Sequence, residues 1–428
     1  MIYNISILYL SKKAQRKEDS TMQFKEINPS PRTLMTPGPV EADPRVLRAM
    51  SAHILGQFDP EFTALMTETM EMSRQLFQTR NKETYLVDTT SRGGLETVLT
   101  GAICPGDKVL IPAFGRFGYL LSEILERCGA EITLIEREWG TVFEPEEIEA
   151  ELKKGGYKAV ACIHGETSTS MMQPLEEIGK ICKKYDALLI VDTVATLGGV
   201  DIRVDEWGLD ACIAGTQKCI SAPSGSALIT YNDKISSIVR ARKKVEKGIR
   251  TNDDEDGTLP GIPSNYLDLA QLEDYWSPRR LNHHTEATSM QYAVHEALRC
   301  ILTEGLQERF ARHNLNDKAL CAGLEAMGLT IFGDRRHKMP VVTAINIPEG
   351  IDGPTLRGQM LNDFGIEVAT SFGPLDGKVI RIGNMGYSSQ KRNILFTLGA
   401  LEAVLIQNHV KVPAGEAVAA ALDVYKQA

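Results

Sequence analysis

The chain has 428 residues, enough for two or three domains around a large buried core. Its 24% charged and 43% hydrophobic residues are ordinary for a globular protein, and a net charge of −9 argues against the basic face of a nucleic-acid binder. No apolar run approaches the ~18 residues of a membrane span, and the 8 cysteines lack paired spacing, so they read as reduced core residues of a cytoplasmic protein, not zinc or redox motifs.

In chain order, residues 1–29 form a polar N-terminal extension, expected to be mobile, with Met22 as an alternative start. Ile5–Leu10 is too short, and lacks the basic lead, for a signal peptide. Pro37-Gly38-Pro39 is a stiff, non-helical segment suited to bringing backbone close to a ligand or a partner chain, or simply to turning into the next helix. A loop with Gln57 precedes an amphipathic helix with Phe62, Leu65, Met66 and Met70. Tyr85-Leu86-Val87 reads as a strand running into Thr90-Ser91-Arg92 at a helix start. Hydroxyls, a cation and free backbone N–H groups there are what a phosphate needs, although Thr and Ser also serve as plain caps.

The alternation continues. Strands at Lys108–Pro112, Ile132–Ile135 and Ala159–Ile163 are separated by helical stretches. Phe117, near two glycines at a strand–helix turn, either stacks on a flat ring or fills core. His164-Gly165-Glu166 follows the third strand and reads as a hydrogen-bonded supporting loop in preference to an acid–base pair. Strand–helix alternation over some 140 residues means a mostly parallel sheet covered by helices, an α/β fold.

The most telling stretch is Ala187–Ser226. The apolar run Leu188–Val191 ends at Asp192, and Ala211–Ala214 ends in Gly215-Thr216-Gln217-Lys218. Unalternating runs suit strands buried on both faces, and in such sheets ligands sit at the strand ends. A carboxylate can keep a pyridine nitrogen protonated, and a desolvated lysine can form a Schiff base with an aldehyde. Either residue alone is more simply a strand-end Asp or a solvated Lys. Together, in this order and between small-residue turns, they point to pyridoxal phosphate.

Beyond Tyr231 comes a basic helix with Arg240, Arg242, Lys243 and Lys244, then a surface loop over 251–264. His283 and His284 are adjacent, so they point apart and make a poor chelate; no metal is expected. A helix from Glu286 to about Thr303 links to a smaller α+β domain with strands at Val341–Ile347, Ile366–Thr370 and Val379–Ile382. Arg381 alternates with Ile380 and Ile382, so it pairs internally or holds a carboxylate.

These stretches resemble the fold-type I, class V pyridoxal phosphate aminotransferases. The resemblance rests on Pro37-Gly38-Pro39, Thr90-Ser91-Arg92, His164–Thr169, Val191–Ala195, Gly215–Lys218, His283-His284-Thr285 and Arg381-Ile382-Gly383, which run in family order from about residue 30 onward. It implies a seven-stranded, mostly parallel sheet in a cofactor-binding domain at 30–290 and a small C-terminal domain at 291–428. It further implies that Lys218 carries the cofactor, Asp192 pairs with its ring nitrogen, and Phe117 stacks on the ring with Val194 beside it. Thr167 would support the ring hydroxyl, while Thr90, Ser91, Arg92 and Gln217 hold the phosphate. Thr285 would come from the other subunit of a homodimer with its active sites at the interface, and Arg381 would hold the substrate carboxylate. The partners are then a small amino donor and a 2-oxo acid. Gln57 and Asn282 stand where alanine–glyoxylate relatives tend to show His and Tyr. Both offer amide groups that donate and accept. In this the chain is similar to the group acting on (S)-ureidoglycine and glyoxylate, with an alanine– or serine–glyoxylate aminotransferase as the alternative.

Overall fold

A computed structural model of the chain describes residues 24, 26–252 and 254–428. The extension expected over 1–29 and the alternative start at Met22 fall almost wholly outside them; residues 26–32 are irregular and exposed. No helix among the described residues is long and apolar enough to cross a membrane.

The main sheet has seven strands: β1 (Glu83–Val87), β2 (Lys108–Ala113), β3 (Glu131–Glu136), β4 (Tyr157–Ile163), β5 (Leu188–Asp192), β6 (Ala211–Gly215) and β7 (Ala227–Tyr231). Their spatial order is β1-β7-β6-β5-β4-β2-β3. Neighbours from β6 to β3 run parallel, while β7 lies antiparallel to both β1 and β6. β5, β6 and β7 are buried at every position. That burial explains why they carry no polar alternation. It also brings the strand ends bearing Asp192 and Lys218 side by side, since Asp192 is in register with Ile213.

Two helices matter for the site. α1 (Ser91–Ala102) starts at an extended Thr90 and buries Leu95, Val98 and Leu99 at helical spacing. A Cβ on its Gly94 would stand 2.5 Å from the Cβ of Ala227, so glycine lets the helix settle onto β7. The expected basic helix ends at Ala241, and Arg242 turns inward instead of facing solvent. It donates to the carbonyls of Thr100 (2.6 Å), Gly101 (3.1 Å) and Ile103 (2.7 Å), satisfying groups that the end of α1 leaves open. α2 (Arg116–Arg127) follows β2 directly.

Beyond α3 (Thr288–Glu304) the chain builds a second apolar core. Here α4 (Leu306–Ala326) and α5 (Lys391–Gln407) pack Leu320, Leu324, Leu398 and Leu401 against Ile380 and Ile382. Burial of each such side chain contributes roughly 1.5–3 kcal/mol. The small sheet runs in the order β8 (Val342–Asn346), β10 (Val379–Gly383), β9 (Ala369–Thr370). The strand expected over Ile366–Thr370 is split. Ala369 and Thr370 pair with β10, whereas Ile366 and Glu367 pair in parallel with Thr33 and Leu34. The first core extends along α3 to Ile301, and Met35 from the chain start belongs to the second.

Candidate active site

A cavity of about 180 Å³ opens at the ends of β4, β5 and β6. Ser91, Arg92, Phe117, Thr167, Val194 and Gln217 line it together with Asp192 and Lys218. The family resemblance assigned these eight to one site, and the structure brings them together around one cavity.

Lys218 is held against the N-terminal segment. Its Nζ donates to the Pro37 carbonyl. Gly38 has φ of 111° and precedes Pro39 through a cis peptide. A Cβ there would lie 2.4 Å from Nζ, so only glycine leaves the lysine its place. The stiff segment thus does bring backbone close, and what it meets is the lysine. Burial, and next the charge of Arg381, lower the Lys218 amine to about 8; Cys219, Asp192 and Glu166 oppose them.

Asp192 is buried at the cavity floor, and burial raises its carboxyl to about 7. Oδ1 accepts from Val194 N–H at 2.8 Å, while Oδ2 makes no hydrogen bond among the described residues. Gln217 Nε2 donates to Ser91 Oγ at 2.9 Å, and Gln217 Oε1 is buried without a partner. Thr90 makes no capping bond with its side chain and is exposed beside the positive end of α1. An anion at that helix start, a flat ring against Phe117 and a protonated ring nitrogen at Asp192 would satisfy groups the protein leaves open. The residues therefore fit pyridoxal phosphate.

His164 and Glu166 do not pair with each other. His164 Nδ1 lies 2.9 Å from Thr196 Oγ1, and burial lowers its ring to about 4. Glu166 accepts from Phe117 N–H (2.8 Å), Ser168 N–H (2.9 Å) and Ser168 Oγ (2.6 Å). It closes the start of α2 and fixes Phe117. Gly115 is required beside it, because a Cβ would stand 2.2 Å from Glu166 Cγ.

Arg381 follows the internal-pairing expectation in part. Nε (2.9 Å) and Nη2 (2.5 Å) donate to the Thr370 carbonyl, and Nη1 (2.8 Å) to that of Thr167. A guanidinium has five N–H groups, so two remain for a carboxylate. Burial lowers it to about 10. Phe372, which sequence reasoning missed, lies 4.9 Å from the Arg381 guanidinium carbon and 4.1 Å from that of Arg116. A half-exposed aromatic in a loop carries no sequence signal of its own.

Gln57, Asn282 and Thr285 do not line this cavity within one chain. The structure does join the first two. Gln57 Nε2 donates to Asn282 Oδ1 at 3.0 Å and to the His284 carbonyl at 2.9 Å, and its Oε1 accepts from Glu286 N–H at 3.0 Å. Asn282 and Thr285 are exposed.

A doubly wound sheet with a buried lysine and carboxylate on adjacent strand ends defines a cofactor-dependent enzyme of the Schiff-base class. The model of the family described as aminotransferase class-V matches residues 45–375, and the chain belongs to that family, whose members depend on pyridoxal phosphate. The (S)-ureidoglycine–glyoxylate transaminase of Bacillus subtilis is 59% identical over 400 residues, 93% of this chain and 96% of that one. The crystal structure of the B. subtilis ureidoglycine–glyoxylate aminotransferase has a TM-score of 0.89 at 56% identity, covering 94% and 100% of the two chains. The alanine–glyoxylate aminotransferase of Rattus norvegicus is 34% identical over 366 residues, 85% and 84% of the respective chains.

Proposed function

We propose that this enzyme moves the amino group of (S)-ureidoglycine to glyoxylate, giving oxalurate and glycine, with pyridoxal phosphate in the Lys218 cavity. The observation that carries the donor's identity is the Gln57–Asn282 amide pair, together with the 59% identity to the B. subtilis transaminase. Gln57 spends both its N–H groups on Asn282 and the His284 carbonyl and so positions Asn282, whose NH2 stays free to donate and whose oxygen keeps a lone pair, a match for a ureido group that presents a carbonyl and N–H groups.

Bound there, pyridoxal phosphate supplies an aldehyde for the amino group and a ring that withdraws electrons. Asp192 keeps the proton on the ring nitrogen, and its burial strengthens that contact. Lys218, lowered toward neutrality, takes the proton from the substrate Cα at Nζ. The two spare N–H groups of Arg381 hold the α-carboxylate. Thr90, Ser91, Arg92 and Gln217 hold the phosphate, Thr167 the ring hydroxyl, and Phe117 packs on the ring. Because Gln57, Asn282 and Thr285 lie off the cavity of their own chain, we assign them to the cavity of a second copy, in a homodimer. The 30–290 region then carries the cofactor and the 291–428 region brings Arg381 to it. Eight cysteines without a disulfide accord with a cytoplasmic enzyme.

Half-reaction absorbance tests the assignment. The yellow protein should bleach rapidly with freshly generated ureidoglycine and regain its colour with glyoxylate. Asn282→Ala should slow ureidoglycine by about ten- to a hundredfold and leave alanine unaffected. Bleaching by alanine or serine as fast as by ureidoglycine would overturn the ureide reading and leave a general glyoxylate aminotransferase.

A further inference from the structure

Outside the cavity, one buried cluster sets two carboxylates beside a single imidazole. Asp88 lies in the turn between β1 and α1, and His284 and Glu286 in the segment ahead of α3. His284 Nε2 is 3.4 Å from Asp88 Oδ2 and 3.6 Å from Glu286 Oε2. The three side chains are 10%, 6% and 1% exposed for His284, Asp88 and Glu286. His284 Nε2 and Asp88 Oδ1 are buried with no hydrogen-bond partner. Among the described residues no lysine or arginine pairs with either carboxylate.

The hydrogen atoms follow from the neighbours. His283 Nε2 lies 3.1 Å from the Asn265 carbonyl, which only accepts, so that nitrogen carries the hydrogen. Neutral His283 then presents a bare Nδ1 to His284 Nδ1 at 2.8 Å, and His284 Nδ1 must donate. The remaining nitrogen of a neutral His284 is a lone pair aimed between two carboxylates. Three electron-rich atoms facing one another need positive charge among them, either a proton or a metal ion. A second proton on the ring would draw one carboxylate to about 2.7–2.9 Å, as charged hydrogen bonds do. The observed separations are longer. They match two edges of a tetrahedral site, where ligand atoms ~2.1 Å from a metal stand about 3.4 Å apart, and the third pair, Asp88 and Glu286, lies within 4.8 Å.

We propose that Asp88, His284 and Glu286 bind one divalent metal ion of the zinc class, with a fourth position left open. One imidazole and two carboxylates suit a borderline ion, whereas calcium or magnesium would want six or more oxygens. Supporting groups are already in place. Tyr275 OH donates to Glu286 Oε2 at 2.7 Å, Gln291 Nε2 to Glu286 Oε1, and Ala287 N–H to Asp88 Oδ2 at 2.6 Å. His283 orients the ring as outer partners of metal-bound histidines do. The sequence predicts no metal at this segment because the adjacent histidines point apart; this site departs from that expectation, with His284 alone of the two taking part. The ion staples the turn ahead of Thr90 to the segment carrying Asn282 and Thr285.

The test uses the cofactor-loaded protein, cleared of metal with a chelator and titrated with Co²⁺. The expected result is one cobalt per chain, showing the visible d–d bands of a four-coordinate ion in the difference spectrum and displaced by Zn²⁺. Glu286→Gln and Asp88→Asn should each weaken uptake at least tenfold while keeping the cofactor band and far-ultraviolet dichroism. Should a variant fail to fold, equilibrium dialysis and the spectrum of the unaltered protein decide alone. No uptake at micromolar Co²⁺, sulfur-to-cobalt charge-transfer bands, or equal uptake by both folded variants would overturn the site and leave a proton as the charge on His284. Metal uptake does not depend on the amino donor, so this result stands apart from that of the transamination assay.

Discussion

The lysine amine is the group whose ionisation the fold alters most usefully. Lys218 is enclosed by Pro37, Gly38 and the cavity wall, and burial with Arg381 nearby lowers its amine from 10.5 to about 8. At pH 7 an unperturbed lysine is neutral in about one molecule in 3,000, and one titrating at 8 in roughly a tenth, a gain of about 300-fold in the reactive form. Only the neutral amine attacks an aldehyde. The rate at which cofactor-stripped protein captures pyridoxal phosphate should therefore climb about tenfold per pH unit below 8 and then level off. Stopped-flow absorbance measures it. The capture rate of a simple alkylamine under the same conditions, expressed per neutral amine and used as divisor, removes the titration of the cofactor itself. Arg381→Met, which deletes the second-largest cause of the shift, should move the break upward. A profile that still rises tenfold per unit beyond pH ~9.5 would show an ordinary lysine and refute the reasoning.

Two further predictions concern the residues around the lysine. Arg381→Lys removes the fork shared by Thr370, Thr167 and the substrate carboxylate, and should raise KM for glyoxylate about a hundredfold with a smaller change in kcat; an unchanged KM in steady-state kinetics would remove Arg381 from the carboxylate. Glu166→Ala strands the Phe117 and Ser168 N–H groups, and should cost about 2–4 kcal/mol in urea unfolding, with Glu166→Gln milder because one carbonyl oxygen survives. Equal stability of all three proteins would show that Glu166 does not hold the start of α2.

The fold was legible where the chemistry is local. Leu188–Asp192 and Ala211–Gly215 announce themselves as buried strands because each is a short apolar run cut off by turn residues, and their neighbouring ends bring Asp192 and the Lys218 that follows Gly215 to one cavity. What stayed hidden depends on contacts distant in sequence. Arg242 sits in a run of basic residues that reads as a solvated face, and only the carbonyls of Thr100, Gly101 and Ile103, some 140 residues earlier, make it a buried cap. The stretch Ile366–Thr370 has the composition of one strand. It is divided because its two halves find different partners, Thr33–Leu34 and β10. Gln57 and Asn282 are 225 residues apart, and family likeness placed both at the substrate without indicating that they bond each other.

That division of Ile366–Thr370 bears on how the two halves of the site are held in step. Residues 33–40 run from one core to the other. Thr33 and Leu34 pair with Ile366 and Glu367, and Met35 is buried in the second core while its carbonyl accepts from Gly383 N–H at 2.7 Å. Five residues on, Val40 packs in the first core and its N–H donates to the Gln217 carbonyl at 3.1 Å. Between them Pro37 takes the lysine and Gly38 leaves it room. Gly383 is two residues from Arg381, and Gln217 is next to Lys218. A shift of β10 relative to β6 therefore strains bonds at both ends of one stiff segment whose proline rings remove two of its soft dihedrals. If Arg381 holds the substrate carboxylate as proposed, its binding there and the position of Lys218 Nζ would be coupled through that segment, in addition to the direct field that lowers the amine. A lysine drawn off Pro37 to reach substrate gives up one of the contacts fixing the segment, so the coupling runs in both directions.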